Sequence, residues 1–545
     1  VTPLLLADAA HASEDAAGHK TLPLRLGPDG RPLIPPTSIK GMLRSAFEAV
    51  TNSRFGVFTG HDERLAYRAA AQEGLTLVPA IVENGTITLQ RGTTELLRPG
   101  QRAERDRLQH AAWLPRYSPG KAPPLAYTRG GRPEHGDEVW CWLSRETHER
   151  RGFQFWGVVG IARTEAELGP QPPGRDYLKV HGRVCITNRN INRKHDERVF
   201  FEHGMEAVKI PLSDHVKRGW RELIRNYQAI HETDLATRRK RGEQPDDFLG
   251  REPGRTAWSR HVYEKGAENL DGRATLCHAL VRLDGSQYVV EALYPVMISR
   301  KLYDSSPEDL LRVAGGLEPA RSIDQLSPAD RVFGWVSQAG AESDDGFNAY
   351  RGNVRIGPVT CESADAVETF PGPGLPLAIL GQPQQQQARH YVAAHRDGRA
   401  QQDGLDKVEA GYSEGKGLRG RKVFPHHRHL PPDHWRSPLE DRTQADANEY
   451  RRPRGPKGER DSQNRSIGGW VRPGSMFTFD VHVTNLSAEE LGALLWLLRI
   501  SEATERGCLR LGGGKPLGFG SLTLELDARD GREACRIVDG GAVGD

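Results

Sequence analysis

Little in this sequence could staple a protein, insert it in a membrane or coat it with one charge. Only six of its 545 residues are cysteines (Cys141, Cys185, Cys277, Cys361, Cys508 and Cys535), and none forms a C-x-x-C pair. That dispersal argues against a zinc ribbon and a disulfide framework and suits a reducing cytoplasm, the expected localisation. No apolar run approaches the roughly 18 residues of a membrane span. No basic stretch leads into the short apolar core of a secretory signal either, so no membrane partner is expected. Neither charge dominates: 75 Lys and Arg face 72 Asp and Glu, a net of +3. This balance excludes a uniformly basic surface but leaves room for a local basic stripe. No repeat of fixed period is found, and repeat architectures are set aside.

What is present is polar and long. A chain of 545 residues, 37% hydrophobic and 27% charged, exceeds one ordinary domain and has ample material for a buried core. Its most informative segment is Leu509-Arg510-Leu511-Gly512-Gly513-Gly514-Lys515-Pro516-Leu517-Gly518-Phe519-Gly520-Ser521. Glycines at this density allow positive φ and let another molecule approach the main-chain amides, while Lys515 adds a cation beside them. A phosphodiester is the natural guest of such a loop, and a plain hairpin connection is the other reading. Further basic clusters stand at Arg238-Arg239-Lys240-Arg241, Arg419-Gly420-Arg421-Lys422 and Arg451-Arg452-Pro453-Arg454.

The elements around the loop can be read from periodicity. Phe477, Phe479, Val481 and Val483 alternate with polar residues, as in a half-buried strand. Ser487 and Glu490 make a capping box, and Leu491, Leu494, Leu495 and Leu498 follow at helical spacing. With a strand over 522–526 this is half of a split β-α-β arrangement. A matching half lies at the other end of the sequence: a strand near 2–6, then a helix capped by Thr37 or Ser38 with Ile39, Met42, Leu43, Ala46, Phe47 and Val50 on its apolar face. Lys40 and Arg44 bring two cations to the start of that helix, where the dipole disfavours them and an external anion would compensate. In between, Asn84-Gly85 marks a hairpin joining strands over 77–81 and 86–89. Strands are expected over 139–143, 153–162, 178–187, 276–283 and 288–296, and a helix over 216–230. The segment 431–466, poor in apolar residues, reads as a flexible loop.

Three segments carry a family likeness. Ile34-Pro35-Pro36-Thr37-Ser38-Ile39-Lys40-Gly41-Met42-Leu43-Arg44-Ser45 resembles the "IPGSSLKGxLR" signature of the RAMP superfamily of CRISPR-associated proteins. The glycine-rich run 511–520 resembles that superfamily's closing loop. Asp330-Arg331-Val332-Phe333-Gly334, followed by Tyr350-Arg351-Gly352-Asn353-Val354-Arg355-Ile356, is similar to a stretch of Cas7-like backbone subunits in type III effectors. In those subunits the third stretch follows soon after the first helix, so the residues between imply a large insertion. The resemblance implies an α+β protein with a ferredoxin- or RRM-like (RAMP) core, a large inserted region and long loops. The core would comprise 1–60 and 321–545, and a mixed α/β insertion 61–320.

The same resemblance implies a subunit that binds CRISPR RNA within a type III ribonucleoprotein, meets complementary target RNA and contacts other Cas subunits in antiviral defence. A non-catalytic role, holding RNA rather than cutting it, is expected from the missing acid near His19 or Lys20. RNA contacts are then expected from Ser38, Lys40, Arg44, Arg421, Lys422, His426, His427, Gly512, Gly513, Gly514, Lys515, Gly518 and Phe519, which suit backbone rather than base recognition. Subunits of this kind that cut target RNA keep an aspartate before the "IPGSS" motif. The matching position here falls near His19 or Lys20, with Asp15 the nearest catalytic candidate. Binding needs no cofactor; cleavage would need Mg²⁺. Two alternatives remain open. One is a Cas6-like guide-processing endoribonuclease using His426, His427, His429 and His434, for which no metal-ligand spacing is found. The other is an adaptor docking through the insertion, whose aromatics Trp140, Trp142, Phe153, Phe155 and Trp156 otherwise read as core strand residues.

Overall fold

A computed structural model describes residues 1–526 except 70–76, 97–107, 116–125, 128–129, 132, 150–151, 175, 187–196, 243–265, 273, 286, 296–299, 339–345, 382–383, 425, 427–429, 431–433, 436–449, 453–459 and 505–506. The chain divides into two compact units. The first comprises Val1–Asp62, Glu308–Asp403 and Gly415–Asp545; the second comprises Glu63–Pro307 and Gly404–Glu414. The protein is α+β, with a large region added to its core.

In the first unit the strand around Leu4 and Leu5 is central. Leu4 pairs antiparallel with Val471 on one side, and Leu5 pairs antiparallel with Gly513 on the other. Beyond Val471, the irregular strand through Gly469–Val471, Phe477–Thr478 and Val481–Val483 pairs antiparallel with Val367–Thr369, Thr360–Cys361 and Val354–Ile356. Numbered by position in a β-α-β-β-α-β chain, the strands lie in the order 4-1-3-2, as in ferredoxin-like folds.

Helix Pro36–Val50 and helix Ala488–Leu498 provide the apolar side chains that cover this sheet. Ile39, Met42, Leu43 and Phe47 share one core with Leu494, Leu497, Leu498, Leu509 and Leu511. Leu43 and Phe47 are fully buried, so truncating Phe47 to alanine would cost about 3–5 kcal/mol.

The two helices begin differently. Ser487 Oγ accepts from the Glu490 amide and the Glu490 carboxylate accepts from the Ser487 amide, so the capping box forms. Pro36–Val50 starts two or three residues earlier than its polar residues suggest. Pro35 holds the N-cap position without a side-chain bond, and Pro36 follows inside the helix. Proline is suited to that site because its missing N–H would have no partner there.

A smaller sheet pairs Lys20–Leu22 with Ser13–Glu14 and, in parallel, with Arg465–Ile467, which also pairs with Leu375–Pro376. Arg465 and Ser466, counted in the expected flexible loop, are therefore strand residues; most of 431–464 lies outside the described residues.

The second unit holds a closed five-stranded barrel and a five-stranded sheet. The barrel is built from Ala112–Trp113, Glu138–Thr147, Gln154–Ala162, Leu178–Cys185 and Arg198–Phe201. The sheet runs Lys209–Pro211, Thr86–Leu89, Val78–Glu83, Thr275–Asp284, Gln287–Tyr294. Glu83 pairs with Thr86 across Asn84 (φ 48°) and Gly85 (φ 71°), a two-residue turn in which both central residues take positive φ. Helix Asp214–Lys240 runs well past its expected end and buries Val216, Trp220 and Ile224 with the sheet.

Candidate functional site

The expected site residues all fall in the first unit, and the fold gathers part of them. Ile39 of helix Pro36–Val50 shares one core with Leu4 and with Leu511 at the start of the glycine-rich loop, and Leu5 is paired with Gly513. Ser38 is exposed in the first turn, and Lys40 is half-buried one turn in, with no acidic residue in that turn. Burial, with the Arg44 guanidinium one turn further on, holds the Lys40 ammonium below the usual lysine range. Lys515 is likewise half-buried, and burial followed by Arg510 lowers it in the same sense. Among the described residues no carboxylate pairs with either ammonium. Both lysines therefore carry charge that an incoming anion would stabilise.

The glycines turn out to be packed as well as permissive. Gly512 (φ 77°) lies where a Cβ would meet the Leu5 carbonyl oxygen at 2.5 Å, and Gly520 (φ 75°) where a Cβ would meet the Leu511 oxygen at 1.9 Å. The Gly513 amide donates to Leu5 O at 2.9 Å and the Gly520 amide to Pro3 O at 2.8 Å. These amides hold the loop to the strand and are spent. Among the described residues no acceptor takes the amides of Gly512 or Gly514. Gly518 has φ 94° and ends the short 3₁₀ turn Lys515–Leu517.

Phe519 is wholly buried. Its ring lies 4.8 Å from Trp435, 5.5 Å from Tyr450 and 5.8 Å from Trp470. It anchors the loop and is not placed to touch a ligand.

Several other expected contacts are already engaged within the protein. Arg44 donates to Glu48 Oε1 (2.9 Å), Gly334 O (2.6 Å) and Asp330 Oδ1 (3.2 Å), bracing the turn after helix Pro328–Phe333. Gly352 packs against that turn, where a Cβ would sit 2.3 Å from the Phe333 carbonyl carbon, so only glycine fits there. Arg421 bonds the Ser53 carbonyl, donates to Arg54 O at 3.2 Å and lies over the Phe55 ring. Lys422 is exposed, its ammonium 5.0 Å from the Phe424 ring centroid.

His426 uses both ring nitrogens. Nε2 donates to Cys508 O (2.9 Å), which leaves Nδ1 to accept from Ser521 Oγ (3.1 Å). His427 and His429 lie outside the described residues. His434 is buried edge-on to Trp435.

Asp15 is exposed and shapes its own hairpin. Its Oδ1 accepts from the Ala17 amide (2.9 Å) and the His19 amide (3.0 Å), and Oδ2 lies 3.6 Å from Arg460 Nη2. The backbone bond from His19 leads the effects that hold its carboxyl below the usual range. His19 is fully buried, its Nδ1 donating to Asp461 O (2.7 Å) and its Nε2 accepting from Ser466 Oγ (2.8 Å). It joins two strands of the small sheet. Among the described residues no cluster of three His, Cys, Asp or Glu could hold a metal ion.

Sequence reasoning missed these internal partners because most lie hundreds of residues away. The prolines before the helix were the usable signal for its start.

Residues 1–92 match the family model described as RAMPs, RAMP superfamily. That stretch includes the central strand, the small hairpin and the whole of helix Pro36–Val50. No curated protein matches the chain. No helix among the described residues is long and apolar enough to cross a membrane.

Proposed function

We propose that this protein is an RNA-binding subunit of a CRISPR-associated ribonucleoprotein, and more narrowly a Cas7-like subunit of a type III effector. It would hold CRISPR RNA by its backbone, expose it to complementary target RNA and pack against other Cas subunits. The carrying observation is the pair of half-buried lysines, Lys40 and Lys515, without carboxylate partners beside a helix start and a glycine-rich turn. The family match over 1–92 supports the same reading.

Holding is preferred to cutting. Positions 19 and 20, where the slicing aspartate is sought, carry a buried histidine and an exposed lysine, and the Asp15 carboxylate is occupied by its own turn and Arg460. The guide-processing alternative draws no support from His426, whose two nitrogens are both engaged.

The test is expression with the neighbouring subunits, followed by purification and RNA extraction. A discrete small RNA should co-purify with the wild type and be depleted by the double change Lys40→Ala and Lys515→Ala. The salt dependence of RNA binding should also flatten, since each phosphate contact to a single strand contributes a slope of about 0.7. Recovery of an RNA-free monomer, or a double variant with unaltered RNA content and slope, overturns the proposal.

A further inference from the structure

The barrel of the second unit carries an aromatic surface that its own core does not use. Its interior is mostly aliphatic, with Ala112, Leu114, Val139, Leu143, Val158, Val180, Val184 and Val199 beside Tyr127 and Phe201. Strand residues alternate in direction, so Trp113, between Ala112 and Leu114, points outward. Phe153 and Phe155 lie outside as well, whereas Trp156 packs against the interior. The expectation that all these aromatics are core is thus corrected for Trp140, Trp142, Phe153 and Phe155, which are half-buried and outside the barrel core.

On the outer face Trp113 stands 4.6 Å from Phe155, 5.7 Å from Phe153 and 6.3 Å from His148, and His148 lies 4.8 Å from Phe153. The Arg198 guanidinium covers the Trp113 ring at 4.2 Å. All five side chains are half-buried, neither sealed in a core nor standing alone.

The composition of the patch selects its guest. It offers flat rings, an imidazole and a stacked guanidinium. Glu146, across the strand pair from Phe155, bonds Ser144 Oγ at 2.8 Å. Rings with a cation laid over them match bases carried on an anionic backbone. A duplex keeps its base faces inside, so only an unpaired strand can stack on such a patch. We infer that the outer face formed by Trp113, His148, Phe153, Phe155 and Arg198 is a stacking platform for single-stranded RNA, separate from the Lys40 and Lys515 site. Arg198 supplies charge and ring coverage, and the rings supply stacking without sequence preference.

The experiment uses the full-length protein, a fluorescein-labelled oligouridylate and a 4-thiouridine version for photocrosslinking. Adducts are expected on peptides containing Trp113 and Phe153–Phe155. Trp113→Ala with Phe155→Ala should weaken oligouridylate binding by about five- to a hundredfold, the range for losing base stacking. Arg198→Gln, which leaves the rings in place, should weaken binding and flatten its salt dependence. Crosslinking of the unaltered protein keeps the test decisive should the double variant fold poorly. Adducts confined to 36–44 and 511–518 would overturn this inference while leaving the first unit's role standing. Adducts confined to the barrel would do the reverse. Unchanged affinity in both variants, or a protein partner seated on the patch with no adduct there, also overturns it.

Discussion

Replacing Gly520 or Gly513 by alanine separates what the glycine-rich loop does for the fold from what it does for a ligand. Gly520 sits at φ 75° with its amide bonded to Pro3 O at 2.8 Å. A left-handed backbone costs a non-glycine residue about 1–2 kcal/mol. The added Cβ would meet the Leu511 oxygen at 1.9 Å, and relieving such an overlap typically costs about 1–3 kcal/mol. Displacing the bonded backbone adds about 1 kcal/mol. Gly520→Ala should therefore lose about 3–6 kcal/mol, a large share of the roughly 5–15 kcal/mol that stabilises a folded domain. At about 2–4 °C per kcal/mol for a unit of this size, the first unit should melt about 6–24 °C lower.

Gly513 is different. It is exposed, its φ is not left-handed, and a Cβ would find Leu5 Cβ at 3.8 Å, an ordinary contact. Gly513→Ala should leave stability within about 0.5 kcal/mol, yet it places a methyl group where a phosphodiester would approach. Scanning calorimetry reads the first effect and oligonucleotide titration the second. A Gly520→Ala protein melting within about 1 °C of wild type would falsify the packing argument. Equal RNA affinity in Gly513→Ala and wild type would count against close approach of the backbone.

Arg44→Ala removes the guanidinium that bonds Glu48, Gly334 and the buried Asp330. It should cost about 3 kcal/mol in urea unfolding, and Arg44→Lys should recover little because an ammonium lacks the planar fork; a full rescue by lysine would sink this account. His426→Ala loses bonds to Cys508 and Ser521 and should destabilise by about 1–2 kcal/mol. Any repeat-RNA cleavage should persist unchanged, so a selective loss of cleavage at wild-type stability would revive the processing reading. The Asp15 carboxyl is held below its unfolded value, chiefly by the His19 amide. Its contribution is fully present above the unfolded carboxyl pKa and disappears as pH falls through the lowered folded value. The stability difference between wild type and Asp15→Asn should shrink across that acid window, and a gap that widens on acidification contradicts the assignment.

Local order was the legible part of this chain. Ser487 with Glu490, the leucines that follow, and Asn84-Gly85 each specify their element through neighbours a few residues away. The 4-1-3-2 strand order follows from pairing the two ends of the sequence, and family likeness supplied that step. What the sequence concealed was the second end of each polar contact. Arg44 reads as a cation on a helix face until Asp330 and Gly334 arrive beside it. Arg421 reads as part of a basic cluster until it meets Ser53 and Phe55. Phe519 sits in a glycine run with nothing nearby to suggest the Trp435, Tyr450 and Trp470 rings around it. Chemical type is visible in one dimension, whereas the competition for each charged group is settled in three.

The placement of Leu4 and Leu5 between Val471 and Gly513 has a consequence for synthesis. At about 5–20 residues per second, the roughly 500 intervening residues take on the order of 25–100 s to emerge from the ribosome. Throughout that time the nascent strand has neither of its neighbours, and both its edges are open to any other chain within reach. Within the continuous stretch Glu63–Pro307 the wait is shorter: strand Val78–Glu83 meets Thr275–Asp284 after about 200 residues, on the order of 10–40 s at the same rate. Translation thus completes most of the added unit before the core that brackets it. A ribosome stalled short of Val471 leaves a folded insertion tethered to an unpaired apolar strand, which is a substrate for chaperones and for aggregation alike.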